Sequence, residues 1–452
     1  MTALAVAVGL AACGAGSAAR LTSSATTLPG EGSTIAPSPP APPSTTGEQG
    51  RPATVAEIAA VGSRAPSGGA TSAQRAAVAM AAFGGALYQQ LKSSDRDANL
   101  VVSPVSIATV FSMIIPGARG ATGEQLSKVF GVSGSDADQQ SVNSLLQELR
   151  SRNRSADPGT NLQVTLRLAN DLWTQAGFPV EPPFLQRLGA SYGAGMHQAN
   201  FADAAAVEQA RQQINALVSQ TTNGRIPELF DPGMLDSSTR VALVNALHLL
   251  GSWAVPFLEN ETDSNTFTRR GGTTVWVPFM HADAGDYAAG SGWQAVTLPL
   301  YGKQLSVVFI LPDVGRFDEI ESSLGSTLLN QTRQHQVPAP GVRLALPKFK
   351  LDTSLELTAA LKQLGVKDAF GAAGFNGISN GAGLFINVVA HRTFIAVDEH
   401  GIEAAAATGV GMAVAGHTTV IDVRFDRPFL LAVIDEPTGA PLFLGRVTDP
   451  SA

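Results

Sequence analysis

The sequence is poor in cysteine and in charge, and both shortages exclude classes of protein. Cys13 is the single cysteine among 452 residues, so neither an intramolecular disulfide nor a cysteine-based metal site can form. Charged residues make up only 15%, the net charge is −7, and no block is rich in Lys or Arg. Nucleic acid is therefore not an expected partner, because phosphate binding needs clustered cations. Downstream of the N-terminus, no apolar run reaches the roughly 18–20 residues that span a bilayer.

Motifs of the common enzyme classes are also missing. The chain contains no G-x-S-x-G nucleophile elbow, no H-E-x-x-H pair and no phosphate-binding P-loop. None of its seven histidines lies four residues from another, so no helical zinc pair is indicated. The adjacent Asp398 and Glu399 would point to opposite faces of a strand and could not act as one acid–base pair. We predict no enzyme activity, no metal site and no cofactor.

The N-terminus has a signal-like composition. Residues 3–12 are small and almost wholly apolar, and the run Leu-Ala-Ala-Cys that ends at Cys13 resembles the bacterial lipobox. That resemblance implies removal of residues 1–12 and acylation of Cys13, and two or more acyl chains would give stable membrane anchoring. No Lys or Arg precedes Cys13, which departs from the usual signal segment. The alternative is a buried free cysteine in an apolar helix. We expect an extracytoplasmic protein, either a cell-surface lipoprotein or secreted, that touches the membrane only through this anchor.

Composition divides the remaining chain into a spacer and a folded body. Residues 13–70 are rich in Pro, Ser, Thr and Gly, and such a segment buries too little apolar surface to offset its ordering entropy. We interpret it as a linker, and residues 71–452 as the folded domain.

Helical and strand patterns are mixed along that domain. Ser103 followed by Pro104 predicts the start of a helix, and a second helix is predicted from about Ser354 to Leu364, ending at Gly365. Residues 305–311 predict a buried strand, and residues 429–434 and 441–447 predict a hairpin. Because no strand–helix–strand rhythm is present, the pattern favours an α+β fold over a doubly wound sheet.

Residues 404–416 form an unusual run of small side chains. No Asp, Glu, Lys or Arg occurs from Ala404 to Ile421, and three glycines fall within eight residues. A buried helix or core strand is one interpretation, but the glycines disfavour a helix and no large side chain is present to fill a core. Such a segment could exist in two states, as an exposed loop and as an inserted strand.

The residues that lead into this run resemble the hinge of the serpin family, E-x-G-x-E-A-A-A-A-T. The hinge residues here are Glu399, Gly401, Glu403, Ala404, Ala405, Ala406, Ala407 and Thr408, which match the motif, and Ile402 at one of its variable positions. Further stretches resemble serpin motifs in the family's order, at residues 99–107, 169–173, 214–215, 221–226, 243–247, 251–253, 346–349, 427–429 and 441–447. The resemblance covers almost the whole domain. It implies the serpin fold, with three β-sheets, about eight or nine helices and an exposed reactive-centre loop.

The resemblance also implies a function. A target serine protease cleaves the loop and forms an acyl-enzyme, and the loop then inserts into the central sheet before deacylation is complete. The chain would thus be a monomeric suicide-substrate inhibitor whose partner is a covalently bound protease. The family's spacing places the scissile bond between Ala415 and Gly416. Since no Lys or Arg lies between Glu403 and Arg424, elastase-like or subtilisin-like proteases are the expected targets.

Two further residue groups follow from the resemblance. Trp253, Lys348 and Glu399 would form the breach at the top of the central sheet, and Ser103, Ser106, Asn245 and His391 would form the shutter beneath its middle. Ile402 departs from the family, which usually has Thr or Ser there; it accepts burial, but its branched bulk could slow insertion. The alternative function is a non-inhibitory serpin that acts as a binding module, although such members usually carry bulky, charged or proline residues at positions 404–408.

Overall fold

The computed structural model describes residues 55–92, 95–283, 285–337, 341–371, 374–380, 383–403 and 420–452. Nine α-helices lie within these ranges, numbered in chain order: α1 Ala70–Leu91, α2 Pro104–Ile114, α3 Gly120–Phe130, α4 Asp136–Arg150, α5 Pro182–Tyr192, α6 Ala204–Thr221, α7 Phe317–Ser322, α8 Ser326–Gln334 and α9 Thr358–Leu364. None of the helices in the described ranges is long and apolar enough to cross a membrane.

The eighteen strands of the described residues form three sheets. Sheet A contains β1 Val55–Ile58, β3 Val164–Gln175, β4 Met196–Ala199, β5 Val241–Ser252, β13 Phe349–Glu356, β14 Ile386–Asp398 and β15 Gly401–Ile402. Sheet B contains β2 Leu100–Val102, β8 Asp286–Gly290, β9 Trp293–Pro299, β10 Leu305–Pro312, β11 Gln336–Val337, β17 Phe429–Asp435 and β18 Ala440–Val447. Sheet C contains β6 Asp263–Thr268, β7 Thr274–Asp283, β12 Val342–Pro347 and β16 Ile421–Arg424.

Sheet A has the order β1-β4-β3-β5-β15-β14-β13. Its two central strands, β5 and β14, run parallel and pair directly from Val241 with Ile386 to Leu247 with Thr393. Beyond Leu247 and Thr393 the two strands no longer pair with each other, and β15 lies between their upper ends. The sheet is therefore closed along its lower half and held open at its top by two residues of a third strand.

Helix α2 lies in the core between sheets A and B. All of its residues are buried, and it contacts β3 and β5 on one side and β18 on the other. The Ser103 side chain accepts a hydrogen bond from the Ser106 N–H, and Pro104 occupies the first turn, as the sequence predicted. The helix thus carries Ser103 and Ser106 to the underside of sheet A.

The predicted strands at residues 305–311, 429–434 and 441–447 are confirmed as β10, β17 and β18. The predicted start of the helix at Ser354 is wrong, because strand β13 continues to Glu356 and α9 begins only at Thr358. Residues 349–356 pair with β14 and bury alternate side chains, among them Phe349, Leu351 and Thr353. Strand pairing within the large sheet overrides the local helical pattern there.

Part of the segment assigned to the linker packs on the domain. Strand β1 pairs antiparallel with β4 and adds an edge strand to sheet A. The Arg64 guanidinium donates to the Asn143 side chain at 2.8 Å, and the Gly68 N–H donates to the Ser144 hydroxyl at 2.8 Å. In the part of the chain that the structure describes, ordered packing therefore begins before residue 71.

Candidate functional site

Strand β15 places the hinge inside sheet A. Gly401 pairs with Ser252 and Asp398, while Ile402 pairs with Gly251 and Val397. Gly401 has a φ of +149°, and a Cβ there would lie 2.0 Å from the Gly251 carbonyl oxygen, so only glycine fits. Ile402 is 0% exposed and belongs to the main apolar core. Two hinge residues are thus already a strand of the central sheet.

Glu403 ends the inserted strand. Its φ of +51° lies in the left-handed region, which is uncommon for a residue other than glycine. Its N–H still donates to the Ala396 carbonyl at 3.0 Å. The carboxylate is buried, with Oε2 3.0 Å from Arg225 Nε and 3.2 Å from His248 Nε2, while Oε1 has no hydrogen-bond partner among the described residues. The carboxylate therefore anchors the hinge on the α6 side of the sheet.

Glu399, Lys348 and Trp253 lie together at the top of sheet A. Lys348 Nζ is 2.7 Å from Glu399 Oε2, and the Thr262 hydroxyl donates to Glu399 Oε1 at 2.7 Å. Burial opposes ionisation of this carboxyl, but the bonds from Lys348 and Thr262 outweigh it and hold the pKa of Glu399 below its ordinary value. The Trp253 indole donates to the Asp398 carbonyl at 2.8 Å. An ion pair and a buried tryptophan thus fix the turn between β14 and the hinge.

Ser103, Ser106, Asn245 and His391 form one buried hydrogen-bonded cluster. The Ser103 N–H donates to His391 Nε2 at 3.1 Å, and His391 Nδ1 lies 2.5 Å from Asn245 Oδ1. The Asn245 amide in turn donates to the Ser106 hydroxyl at 2.7 Å. His391 and Asn245 are cross-strand neighbours on β14 and β5. The cluster therefore ties the two central strands to each other and to α2.

The histidine of this cluster is neutral. Burial lowers the pKa of His391 to about 3. Since Nε2 accepts from the Ser103 N–H, the proton lies on Nδ1 and is donated to Asn245. Protonating Nε2 would break the bond from Ser103 and place a charge in the core.

The remaining predicted positions lie outside the described residues. They are Cys13, Ala404, Ala405, Ala406, Ala407, Thr408, Ala415 and Gly416. Among the residues that the structure does describe, no group of three or more His, Cys, Asp or Glu side chains could hold a metal ion.

The structure adds functional neighbours that sequence reasoning missed. Asn170 Oδ1 accepts from the Ser106 hydroxyl at 3.1 Å and from the Asn245 amide at 2.8 Å, so it belongs to the buried cluster. Asn170 lies inside the stretch 169–173, which resembles a serpin motif, so the sequence could have identified it as a candidate. Arg225 likewise lies in the stretch 221–226. Thr262 and His248 gave no signal, because their roles depend on contacts between distant strands.

The three-sheet fold and the hinge strand define a class of protein, and comparison with known proteins agrees. The family described as "Serpin (serine protease inhibitor)" matches residues 78–450. Leukocyte elastase inhibitor A of Mus musculus is 32% identical over 375 residues, covering 80% of this chain and 96% of that protein. The native-state crystal structure of the thermophilic serpin tengpin superposes with a TM-score of 0.75 at 26% identity, covering 88% of this chain and 100% of that one. Human thyroxine-binding globulin in complex with its ligand superposes with a TM-score of 0.74 at 25% identity, covering 84% and 99%.

The chain belongs to the serpin family, and it has the serpin fold that its sequence predicted, α+β with three sheets and nine α-helices in the described residues. Serpins are in general protease inhibitors and not enzymes.

Proposed function

We propose that this serpin is a suicide-substrate inhibitor of elastase-like or subtilisin-like serine proteases. The observation that carries the proposal is the hinge strand, since Gly401 and Ile402 already lie between β5 and β14. Insertion of the loop after cleavage would extend this strand downward and needs no new site in the sheet. Successive added residues would form ladder hydrogen bonds alternately with β5 and with β14.

The register of β15 predicts where each following residue would go. Continuing the pairs of Ile402 with Gly251 and Val397 places position 406 between Leu247 and Thr393, the last pair of the closed ladder. Position 408 falls between Asn245 and His391. Insertion would therefore separate β5 from β14 from position 406 onward, and at position 408 it would break the bond between Asn245 and His391.

The side chains of the inserting segment suit that path. Ile402 faces the apolar core, so positions 404, 406 and 408 would face it too, because a strand alternates. The sequence supplies Ala404, Ala406 and Thr408 there, and these are small enough to enter a closed core. Glu403 faces the opposite side, where Arg225 and His248 hold it.

The expected specificity follows from the absence of cations in the loop. A trypsin-like pocket pairs a Lys or Arg of the substrate with a buried carboxylate, and none lies between Glu403 and Arg424. The proposed scissile bond, Ala415–Gly416, has small residues on both sides. A relative whose name is leukocyte elastase inhibitor supports the same target class.

The direct test is incubation of the protein with neutrophil elastase, and trypsin serves as the control protease. We expect an SDS-stable complex with elastase and none with trypsin, and mass spectrometry should place the cut between Met412 and Thr418. Cleavage only at Arg424 or Arg427, without a covalent complex, would refute both the register and the inhibitory function.

A second candidate is a binding module, because a thyroxine-binding globulin shares the fold. Such a protein need not insert its loop after cleavage. Rapid cleavage by elastase with no complex and no change in stability would favour this candidate.

We also propose that the domain is a monomer and is displayed outside the cytoplasm by acylation of Cys13. The lipobox-like run before Cys13 supports this. Expression in a bacterial host with labelled palmitate should label the wild type and not Cys13→Ala. Equal labelling of both proteins would mean that the acyl group is attached at another residue. The absence of label in the wild type would mean that the protein has no acyl anchor.

A further inference from the structure

A cavity of about 470 Å³ opens beside β3, on the side away from the hinge. Its volume is typical of small-molecule sites, which span roughly 300–1,000 Å³. Apolar side chains form much of its wall: Met113 of α2, Leu146 of α4, and Leu166 and Leu168 of β3. An alkyl chain would find a compatible surface there.

The cavity lies at a free edge of sheet A. Strand β4 pairs with β3 only at residues 173–175, so residues 168–171 have no partner strand on that side among the described residues. The Leu166 N–H donates to the Asn153 side chain at 2.7 Å, which shows that main-chain groups at even positions point away from β5. The N–H groups of Leu168 and Asn170 therefore point toward the cavity, as additional hydrogen-bond donors.

The charge at the cavity is all of one sign. Arg150 and Arg167 line it, no acidic residue does, and neither guanidinium has an ion-pair partner among the described residues. Glu148, close by on α4, pairs with Arg152 instead. Arg64, a third guanidinium on this side of α4, lies close enough to Arg150 that the Arg150 charge, after burial, helps to lower the pKa of Arg64 to about 10. In a chain of net charge −7, such a cluster without counter-charge is complementary to an anion.

We propose that this cavity binds an amphipathic anion, a long-chain carboxylate. The alkyl chain would lie against Met113, Leu146 and Leu168. The carboxylate would be held by Arg150 and Arg167, since guanidinium groups bind carboxylates in paired hydrogen bonds.

The inner end of the cavity reaches the buried cluster beneath the sheet. Asn170 lines the cavity, and its side chain accepts from Ser106 and Asn245. A ligand bound to the uncleaved protein therefore stabilises the region that holds the sheet closed, and it should raise the melting temperature by mass action.

The test is isothermal titration calorimetry of the full domain with sodium decanoate below its micelle concentration. We expect saturable 1:1 binding with a Kd below about 100 μM. Lengthening the series from octanoate to decanoate to dodecanoate should tighten binding by about fourfold per methylene, the value expected for buried apolar carbon. Decanol, which has the same chain without the charge, should bind at least tenfold more weakly than decanoate.

The matched variants separate charge from fold. Arg150→Gln with Arg167→Gln should weaken decanoate binding by about tenfold and leave decanol binding unchanged. Arg343→Gln, an exposed position on sheet C, should bind decanoate as the wild type does. Absent binding, or binding that the double variant leaves unchanged, would overturn the proposal. Binding of an extended peptide but not of decanoate would assign the free edge of β3 to a peptide strand and would also overturn it.

Discussion

The substitution Ala406→Arg probes loop insertion at a defined position. The register places residue 406 between Leu247 and Thr393, whose side chains are 1% and 0% exposed, on the core-facing side of the sheet. A guanidinium there would be buried without a partner, at a cost of several kcal/mol. If about 3 kcal/mol of this cost is present in the transition state for insertion, insertion slows by about 150-fold.

Deacylation of the protease would then be faster than insertion of the loop. We expect the variant to be cut at the same bond as the wild type, and the number of inhibitor molecules consumed per protease to rise by at least tenfold. The assay is titration of elastase with each variant, with residual activity and SDS-stable complex measured together. Ala406→Met is the control of similar length without charge; overpacking costs about 1–3 kcal/mol, so it should inhibit better than the Arg variant. Wild-type stoichiometry for Ala406→Arg would refute the register.

Three other predictions concern the breach, the shutter and the hinge. Glu399→Lys replaces the 2.7 Å pair with Lys348 by like-charge repulsion, so mild heating should produce polymers on size-exclusion chromatography; a variant that stays monomeric would contradict the role of this pair. Burial lowers the pKa of His391 to about 3, so the folded state disfavours protonation of this histidine. The free energy of unfolding should therefore be highest above about pH 6.5 and should fall by about 1.4 kcal/mol per pH unit toward pH 3. Denaturant unfolding of His391→Gln should show a shallower slope, because only carboxylates with a lowered pKa, such as Glu399, still contribute to it; equal slopes would mean that His391 does not titrate in this range. Ile402→Ala removes core contacts of a residue that is 0% exposed and should cost about 2–4 kcal/mol if β15 remains inserted; a cost below about 0.5 kcal/mol would show that the hinge is free in solution.

The breach and the shutter could be predicted from the sequence because all of their residues except His391 lie within short stretches that resemble the family. Glu399 and Lys348, and likewise Asn245 and His391, are far apart in the chain, and the resemblance alone brought them together. Composition and spacing would have left each as an ordinary polar residue.

Other features depend on pairing between strands that no local pattern reveals. The strand at residues 55–58 lies in a segment whose composition is typical of a linker, and only its pairing with β4 orders it. The pairing of Glu403 with Arg225 and His248 could not be predicted either, although Arg225 itself lies in a stretch that resembles the family. Arg225 follows α6 and His248 lies on β5, and they meet the carboxylate only because β15 stops at that point in the sheet. How far a hinge enters a sheet depends on a free-energy balance between closed and open ladders, and local sequence does not encode that balance.

The most direct test of the account is the melting temperature of the protein before and after cleavage in the loop. If residues 404–408 insert beside β5 and β14, cleavage adds ladder hydrogen bonds on both sides and buries a new strand. Nicking an exposed loop normally leaves a protein no more stable than before. We therefore predict that elastase-cleaved protein melts at least about 5 °C above the intact form, because each added kcal/mol raises the melting temperature of a domain this large by about 1–2 °C and insertion should add several kcal/mol. Equal melting temperatures, with cleavage confirmed between Met412 and Thr418, would contradict insertion and leave a serpin fold without serpin inhibition.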